Sequence, residues 1–219
     1  MEMIDIYTDR LKHIGVASKK EAHEKGYWHT VITCLAINPK TGTAIYQRKY
    51  PKNDASITNE NSQLDISVGG HIQAGESIEQ AVREIKEELL EDVSLKELVY
   101  LGVRQTAATI NNNYIANEFQ YIFLYPCQKQ LKQYDVSGKE VARLVEINVQ
   151  DGLDLFLKIK SEIPAQEMYI ENGVQVVQQR TVNLEHFLQC YQEIDNLFFR
   201  LLVAAKRYID GENPKYIMW

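Results

Sequence analysis

Glu84, Glu87, Glu88 and Glu91 recur at a spacing that gathers carboxylates on one side of a helix. At about 100° per residue they span an arc of roughly 100°. Ile78, Val82, Ile85 and Leu89 form a separate apolar stripe, so one face docks on a core while its neighbour presents acids. Like charges on adjacent turns cost a few tenths of a kcal/mol each, and a hard divalent cation would relieve that repulsion. Alone, such a helix reads as a solvated acidic face with Arg83 and Lys86 as local partners. The loop before it changes that reading. Gly69 and Gly70 let backbone approach a ligand closely, Gly75 offers a second tight bend, and His71 can reach a phosphate. Ser77 can cap the helix, with Gln80 at the capping-box position, and Glu76 can hold the loop by pairing with Arg83. A phosphate-approaching loop followed by clustered acids points to chemistry on a diphosphate.

The elements that must position these groups read as mixed α/β. Thr30–Ile37 and Thr43–Lys49 flank the turn Asn38-Pro39-Lys40-Thr41-Gly42 as a hairpin. Residues 51–63 are polar and read as a surface loop, and Leu64–Val68 leads into the glycines. The acidic helix starts near Ser77 or Ile78 and, with no glycine to stop it, runs to about Asp92. Strands follow at Leu95–Gln105 and Asn117–Tyr125, divided by an asparagine-rich turn at 111–113, and at Glu140–Asn148. A short helix runs to about Lys160. Glu167–Ile170 and Val174–Val182 form a hairpin around Glu171-Asn172-Gly173. Asn183 caps a long last helix through about Ile209.

The chain has 219 residues, 45% of them hydrophobic and 25% charged, which suits one globular domain over residues 1–219. Residues 1–27 form an N-terminal extension and 163–219 a C-terminal elaboration. The latter reads as packing elements, with a lid or a homodimer contact as the alternative. A net charge of −6 argues against a broad grip on nucleic acid. Cys34, Cys127 and Cys190 form no metal-binding pair and suit a reducing, cytoplasmic setting. The acidic N-terminus lacks the parts of a signal peptide, and the apolar run near 197–205 is broken by Arg200, so no membrane partner is expected.

Residues 69–91 resemble the box of the Nudix hydrolase family, G-x5-E-x7-R-E-U-x-E-E-x-G-U, where U is bulky and aliphatic. Gly70 and Glu76 fit its opening, and Arg83-Glu84-Ile85-Lys86-Glu87-Glu88 fits R-E-U-x-E-E without a mismatch. Two positions depart. Six residues, 77 to 82, separate Glu76 from Arg83 where the family has seven. Leu90 stands where the family has glycine, and Glu91 where it has an aliphatic residue. The apolar stripe stays in phase with the acids from Val82 onward, which predicts that the missing residue is absorbed before Val82. The resemblance implies a Nudix-type α/β/α sandwich with a mixed sheet over roughly residues 28–160. It also implies hydrolysis of a nucleoside diphosphate linked to another moiety, or of a related small organic diphosphate. Mg²⁺, or Mn²⁺ in its place, would be held by Glu84, Glu87 and Glu88, with Glu88 or Glu118 orienting or deprotonating the water.

Outside the box, the chain is similar to the Nudix branch of isopentenyl-diphosphate isomerases. Lys20, His23, Gly26 and His29 resemble its K-x-x-H-x-x-G-x-x-H approach to the first strand, Gln47-Arg48 its Q-R pair, and Ser67-Val68-Gly69-Gly70-His71 its S-x-G-G-H entry. In this frame Arg48 is a candidate phosphate ligand or the partner of a nearby acid, and Glu118 resembles the acid on the strand facing the metal helix. His23 and His29 read as hydrogen-bonded frame residues. The isomerase carries its catalytic cysteine where this chain has Gly69, which opposes isomerisation. A third reading is a non-catalytic nucleotide-sensing module, favoured by the shortened Glu76–Arg83 spacing and opposed by retention of all three acids.

Overall fold

The computed structural model describes residues 2–49, 63–137 and 141–219. In chain order its elements are β1 (Met3–Tyr7), β2 (His13–Ser18), α1 (Lys19–Lys25), β3 (Trp28–Asn38), β4 (Thr43–Lys49) and β5 (Val68–His71). The acidic segment forms α2 (Ile78–Ala81) and α3 (Arg83–Leu89). Then come β6 (Val99–Asn111), β7 (Tyr114–Pro126), β8 (Val141–Asn148), α4 (Val149–Phe156), β9 (Ile163–Glu171), β10 (Val174–Val182), α5 (Gln189–Asp195) and α6 (Leu197–Ile209). The stretch at 51–63 expected to be a surface loop lies, through residue 62, outside the described residues.

The strands join one mixed, largely antiparallel sheet, whose main path runs β10-β9-β8-β4-β3-β1-β2. β3 also pairs in parallel with β7 and antiparallel with β5. Alternation along β3 builds two cores. Ile32, Cys34 and Ala36 face one side and pack with Val82, Ile85 and Leu89 of the acidic segment. Leu35 and Ile37 face the other, with Phe187, Phe198, Leu201 and Leu202. The result is the expected α/β/α sandwich. The N-terminal extension is part of the sheet, since β1 pairs with β3 at Ile6↔His29 and Tyr7↔Trp28.

One irregularity makes the site. β3 and β4 pair only at Ile37↔Ala44 and Asn38↔Thr43, then splay. β5 enters the gap and pairs with β3 from Val31↔His71 to Cys34↔Val68. The Ser67 hydroxyl spans the splay, donating to the Ile45 carbonyl and accepting from the Ala36 amide.

Three expectations are corrected. The acidic helix stops at Leu89 rather than Asp92: Leu90 itself takes the left-handed conformation, φ 55°, in which the family places glycine. Glu91 accordingly leaves the acidic face and pairs with Lys129. The acidic segment is not one continuous helix: a tightened turn at Val82, φ −58° and ψ −16°, divides α2 from α3, while Ser77 and Gln80 form an intact capping box. The last helix does not start at Asn183. Asn183 caps a short 3₁₀ turn at Leu184–His186, and Asn196 at φ 56° divides α5 from α6. Phe187 explains the delay: it is fully buried, with Tyr46, Phe156 and Phe198 ring centroids 5.1–5.3 Å away, which pins the chain to the sheet before a helix can begin.

Candidate active site

Arg83 organises the underside of the β5 loop. Its Nε donates to Glu76 Oε1 at 2.7 Å and its Nη2 to Glu76 Oε2 at 3.1 Å, so the pair forms despite the short spacing. Nη1 donates to Glu84 Oε1 at 2.6 Å and to Glu87 Oε2 at 3.1 Å, and Nη2 also reaches the His71 carbonyl at 3.2 Å. Burial works against the Arg83 charge, but hydrogen bonds to Glu76 and the Glu84 carboxylate outweigh it and raise its pKa. Glu84 stacks directly beneath Gly70: a Cβ added there would lie 2.0 Å from the Glu84 carboxyl carbon, so this glycine is required by close approach. Burial raises the Glu84 pKa to about 7 against the pull of Arg83, with Glu87 and Glu88 adding to the rise.

Glu88 fills the gap between β4 and β5. Its Oε2 accepts from the Gly69 amide at 2.8 Å and from Gln47 Nε2 at 3.0 Å, and its Oε1 pairs with Lys49. Glu87 is exposed. Glu84 and Glu88 therefore converge on the floor made by Gly69 and Gly70.

A second polar group lies across that floor. His23, His29, His71 and Glu118 each offer a ligand atom, all within 4.8 Å of one another. His23 Nδ1 meets the Ile115 carbonyl at 3.1 Å, and His29 Nδ1 meets the Tyr27 carbonyl at 2.8 Å. A carbonyl only accepts, so both Nδ1 atoms carry the proton and both Nε2 lone pairs face inward. His23 Nε2 stands 3.0 Å from His71 Nε2. His29 Nε2 is buried with no hydrogen-bond partner, 3.8 Å from Glu118 Oε1. Burial lowers the pKa of His23 and takes that of His71 well down, favouring the neutral, ligating form. Carbonyl-anchored imidazoles with converging lone pairs and an orphaned nitrogen fit a divalent cation of the transition series, and the carboxylates of α3 fit a hard cation.

Two sequence expectations fail here. Glu118 lies on the face of β7 that carries Ile122 and Leu124, opposite the face on which α3 packs, so it joins the histidines rather than facing the acidic helix. Arg48 also turns away: strand alternation sends Gln47 and Lys49 toward Glu88, and Arg48 to the other face, where its Nε donates to Glu167 at 3.0 Å. Pairing with an acid, rather than phosphate binding, accounts for it. Sequence reasoning named Gln47 only as half of a Q-R pair and missed Lys49 and Asp65; one residue of strand phase beside Arg48 would have suggested Lys49.

A cleft of about 310 Å³ opens above β5, lined by Lys19, Lys49, Asp65, Gly69, Gly70, His71, Tyr114, Glu118 and Tyr191. Burial raises Asp65 to about 6 against the pull of Lys49. The cleft thus has two lysines at its walls, a glycine floor and carboxylates on both sides of that floor. Among the described residues no helix is long and apolar enough to cross a membrane.

A NUDIX domain model matches residues 27–162. An uncharacterized Nudix hydrolase of Clostridium acetobutylicum is 36% identical over 173 residues, covering 78% of this chain and 81% of its own. One from Nostoc sp. is 29% identical over 104 residues, 47% of this chain and 59% of that one. A Deinococcus radiodurans protein of known crystal structure superposes with a TM-score of 0.50 at 19% identity, covering 72% of this chain and 88% of that chain, a likeness of fold. The extent of the family match, with a relative above 30% identity along most of both chains, shows that this chain belongs to the Nudix family and is a Nudix hydrolase.

Proposed function

We propose that this Nudix hydrolase cleaves the diphosphate linkage of a small organic diphosphate, in the first instance a nucleoside diphosphate joined to another moiety. The observation that carries the reading is the convergence of Glu84 and Glu88 beneath a glycine floor whose cleft is walled by lysines. Glu84, Glu87 and Glu88 would hold Mg²⁺, or Mn²⁺ in its place, and His23, His29, His71 and Glu118 a second divalent cation. Bound there, such cations neutralise charge on phosphate oxygens and lower the pKa of water.

The chain's own groups do the positioning. Lys19 and Lys49 draw the anionic diphosphate into the cleft, and Gly69 and Gly70 let it approach the backbone. Arg83 fixes Glu76 and Glu84 relative to one another. Glu88 is held in place by the Gly69 amide, Gln47 and Lys49, and it or Glu118 would orient the attacking water. Isomerisation finds no support. Gly69 has no side chain to carry a proton, and Cys34 is buried in the α3-side core, where burial pushes its thiol far above the usual range. The sensor reading loses its main argument because Glu76 and Arg83 do pair.

The test is release of phosphate or nucleotide products from a mixed panel of nucleoside-diphosphate derivatives and prenyl diphosphates with Mg²⁺. Turnover of at least one, reduced about 10²-fold or more by Glu88→Gln, is expected. Mg²⁺ binding without turnover of any panel member, or proton exchange into isopentenyl diphosphate at an enzymatic rate, would overturn the reading.

A further inference from the structure

A hydrogen-bonded chain runs from the C-terminal helix α5 to the histidine group. Arg104 on β6 is almost wholly buried, and its guanidinium forks onto Asp195 at the end of α5: Nε to Oδ2 at 2.9 Å and Nη2 to Oδ1 at 2.7 Å. The remaining nitrogen, Nη1, donates to Gln120 Oε1 at 2.7 Å. Arginine only donates, so the Gln120 amide must turn its oxygen to Arg104 and its nitrogen away. That nitrogen donates to Glu118 Oε2 at 2.6 Å. One Glu118 oxygen is thereby held, and the other, Oε1, is left facing His29 Nε2.

We propose that Arg104 and Gln120 are positioning residues that set the Glu118 carboxylate toward the three imidazoles, and that Asp195 of the C-terminal elaboration anchors them. The inference rests on the reading of His23, His29, His71 and Glu118 as a cation site. The direction of the chain carries it: every group has one available orientation, fixed by a donor-only cation at the start, so the order reaches Glu118 without an alternative amide flip. Packing of α5 alone would need only the Arg104–Asp195 fork. Cross-strand pairing of Arg104 with Gln120, and the shared β7 face of Gln120 and Glu118, bring the three side chains together, and the polarity of the chain sets which Glu118 oxygen is held. Asp195, at the end of α5, thus contributes to the site without lining it.

The experiment titrates the full-length protein with Co²⁺ and follows the ring NMR signals of His23, His29 and His71, which report the ion at the imidazoles rather than one on α3. Glu118→Gln tests the underlying reading: a wild-type Co²⁺ affinity there would remove the cation site itself. Gln120→Met breaks the chain in the middle while leaving the Arg104–Asp195 fork intact. It is expected to weaken Co²⁺ binding about 10-fold or more, as loss of a residue behind a ligand does. Asp195→Asn, which removes the charge facing the buried Arg104 and is checked for folding by urea unfolding, is expected to weaken it about 3-fold, and Asp195→Glu, which keeps that charge, to leave it near wild type. Binding weakened by Glu118→Gln but unchanged in both Gln120→Met and Asp195→Asn would overturn the positioning role and leave the fork as packing.

Discussion

Substituting alanine for Gly70 isolates the contact on which the acidic face depends. The added Cβ would lie 2.0 Å from the Glu84 carboxyl carbon, where ordinary contact begins near 3.4 Å, so the carboxylate must withdraw by about 1.4 Å. Arg83 resists that shift through its 2.6 Å bond to Glu84, and Arg83 is itself tied to Glu76, Glu87 and the His71 carbonyl. A displacement of about 1 Å in a reacting constellation costs on the order of 10²-fold in rate. Gly70→Ala should therefore lower kcat/KM about 10²-fold and abolish most of the rise in Tm that Mg²⁺ gives by mass action. Gly69→Ala is the control. Its Cβ would meet Ile66 Cδ1 at 3.2 Å rather than Glu84, and its amide would still reach Glu88, so its Mg²⁺ response in Tm should match wild type whatever the added methyl does to turnover. Shortening the acid should compensate: Gly70→Ala with Glu84→Asp withdraws the carboxyl by about one methylene and should recover part of the Mg²⁺ response. Equal Mg²⁺ responses and rates in wild type and Gly70→Ala would refute the claim that Glu84 acts from beneath this residue.

Three further outcomes follow from the same geometry. Leu90 holds φ 55° with a Cβ, so Leu90→Gly should raise stability by about 1 kcal/mol in urea unfolding; no gain would mean that its side chain contributes as much as its backbone conformation costs. In metal-free protein, Glu84 holds a proton up to about pH 7 that the unfolded chain releases near 4.5, so its stabilising contribution is full below about 4.5 and is lost as pH rises through 7. Urea midpoints with EDTA should therefore fall more between pH 5 and 8 in wild type than in Glu84→Gln, and parallel slopes would contradict the raised pKa. Phe187→Ala should cost about 3–5 kcal/mol by denaturant titration, because the ring is fully buried among Tyr46, Phe156 and Phe198; a loss under 1 kcal/mol would show the C-terminal region to be peripheral to the core.

Periodicity exposed much of the fold because it reports burial directly. The hairpin around Asn172-Gly173 and the β6–β7 turn at 111–113 stand where turn residues interrupt alternating runs. Helix ends were less legible because they depend on single backbone conformations. Leu90 and Asn196 both take positive φ, and neither is glycine, so composition gave no stop signal at Leu90 and only a weak one at Asn196. Val82 is a different case. The apolar stripe remains in phase with the acids on either side of it, because one tightened turn shifts the helix without rotating its buried face out of the core. The capping residues were right for the same physical reason that the break was missed: the Ser77–Gln80 box satisfies the first turn locally, while the turn at Val82 is imposed by packing.

The site divided in the same way. The acids of α3 were legible because one short helix fixes their relative direction, and Arg83 at its start reaches Glu84 and Glu87 on it and Glu76 in the loop before it. The histidine group was not, because its members come from α1, β3, β5 and β7, and only the parallel pairing of His29 with Glu118 brings the last of them in. Sequence alone read His23 and His29 as hydrogen-bonded frame residues, and both rings are bonded in that way, through Nδ1 to the carbonyls of Ile115 and Tyr27. Those partners, which no spacing rule contains, are also what turn both Nε2 lone pairs inward. Strand phase decides the rest: one residue sends Lys49 to the cleft and Arg48 to Glu167, and one residue places Gly70 over Glu84 while turning His71 to the opposite face. β5 is thus a two-sided element, and its glycines are what bring the carboxylates beneath it and the imidazoles above it close to one floor.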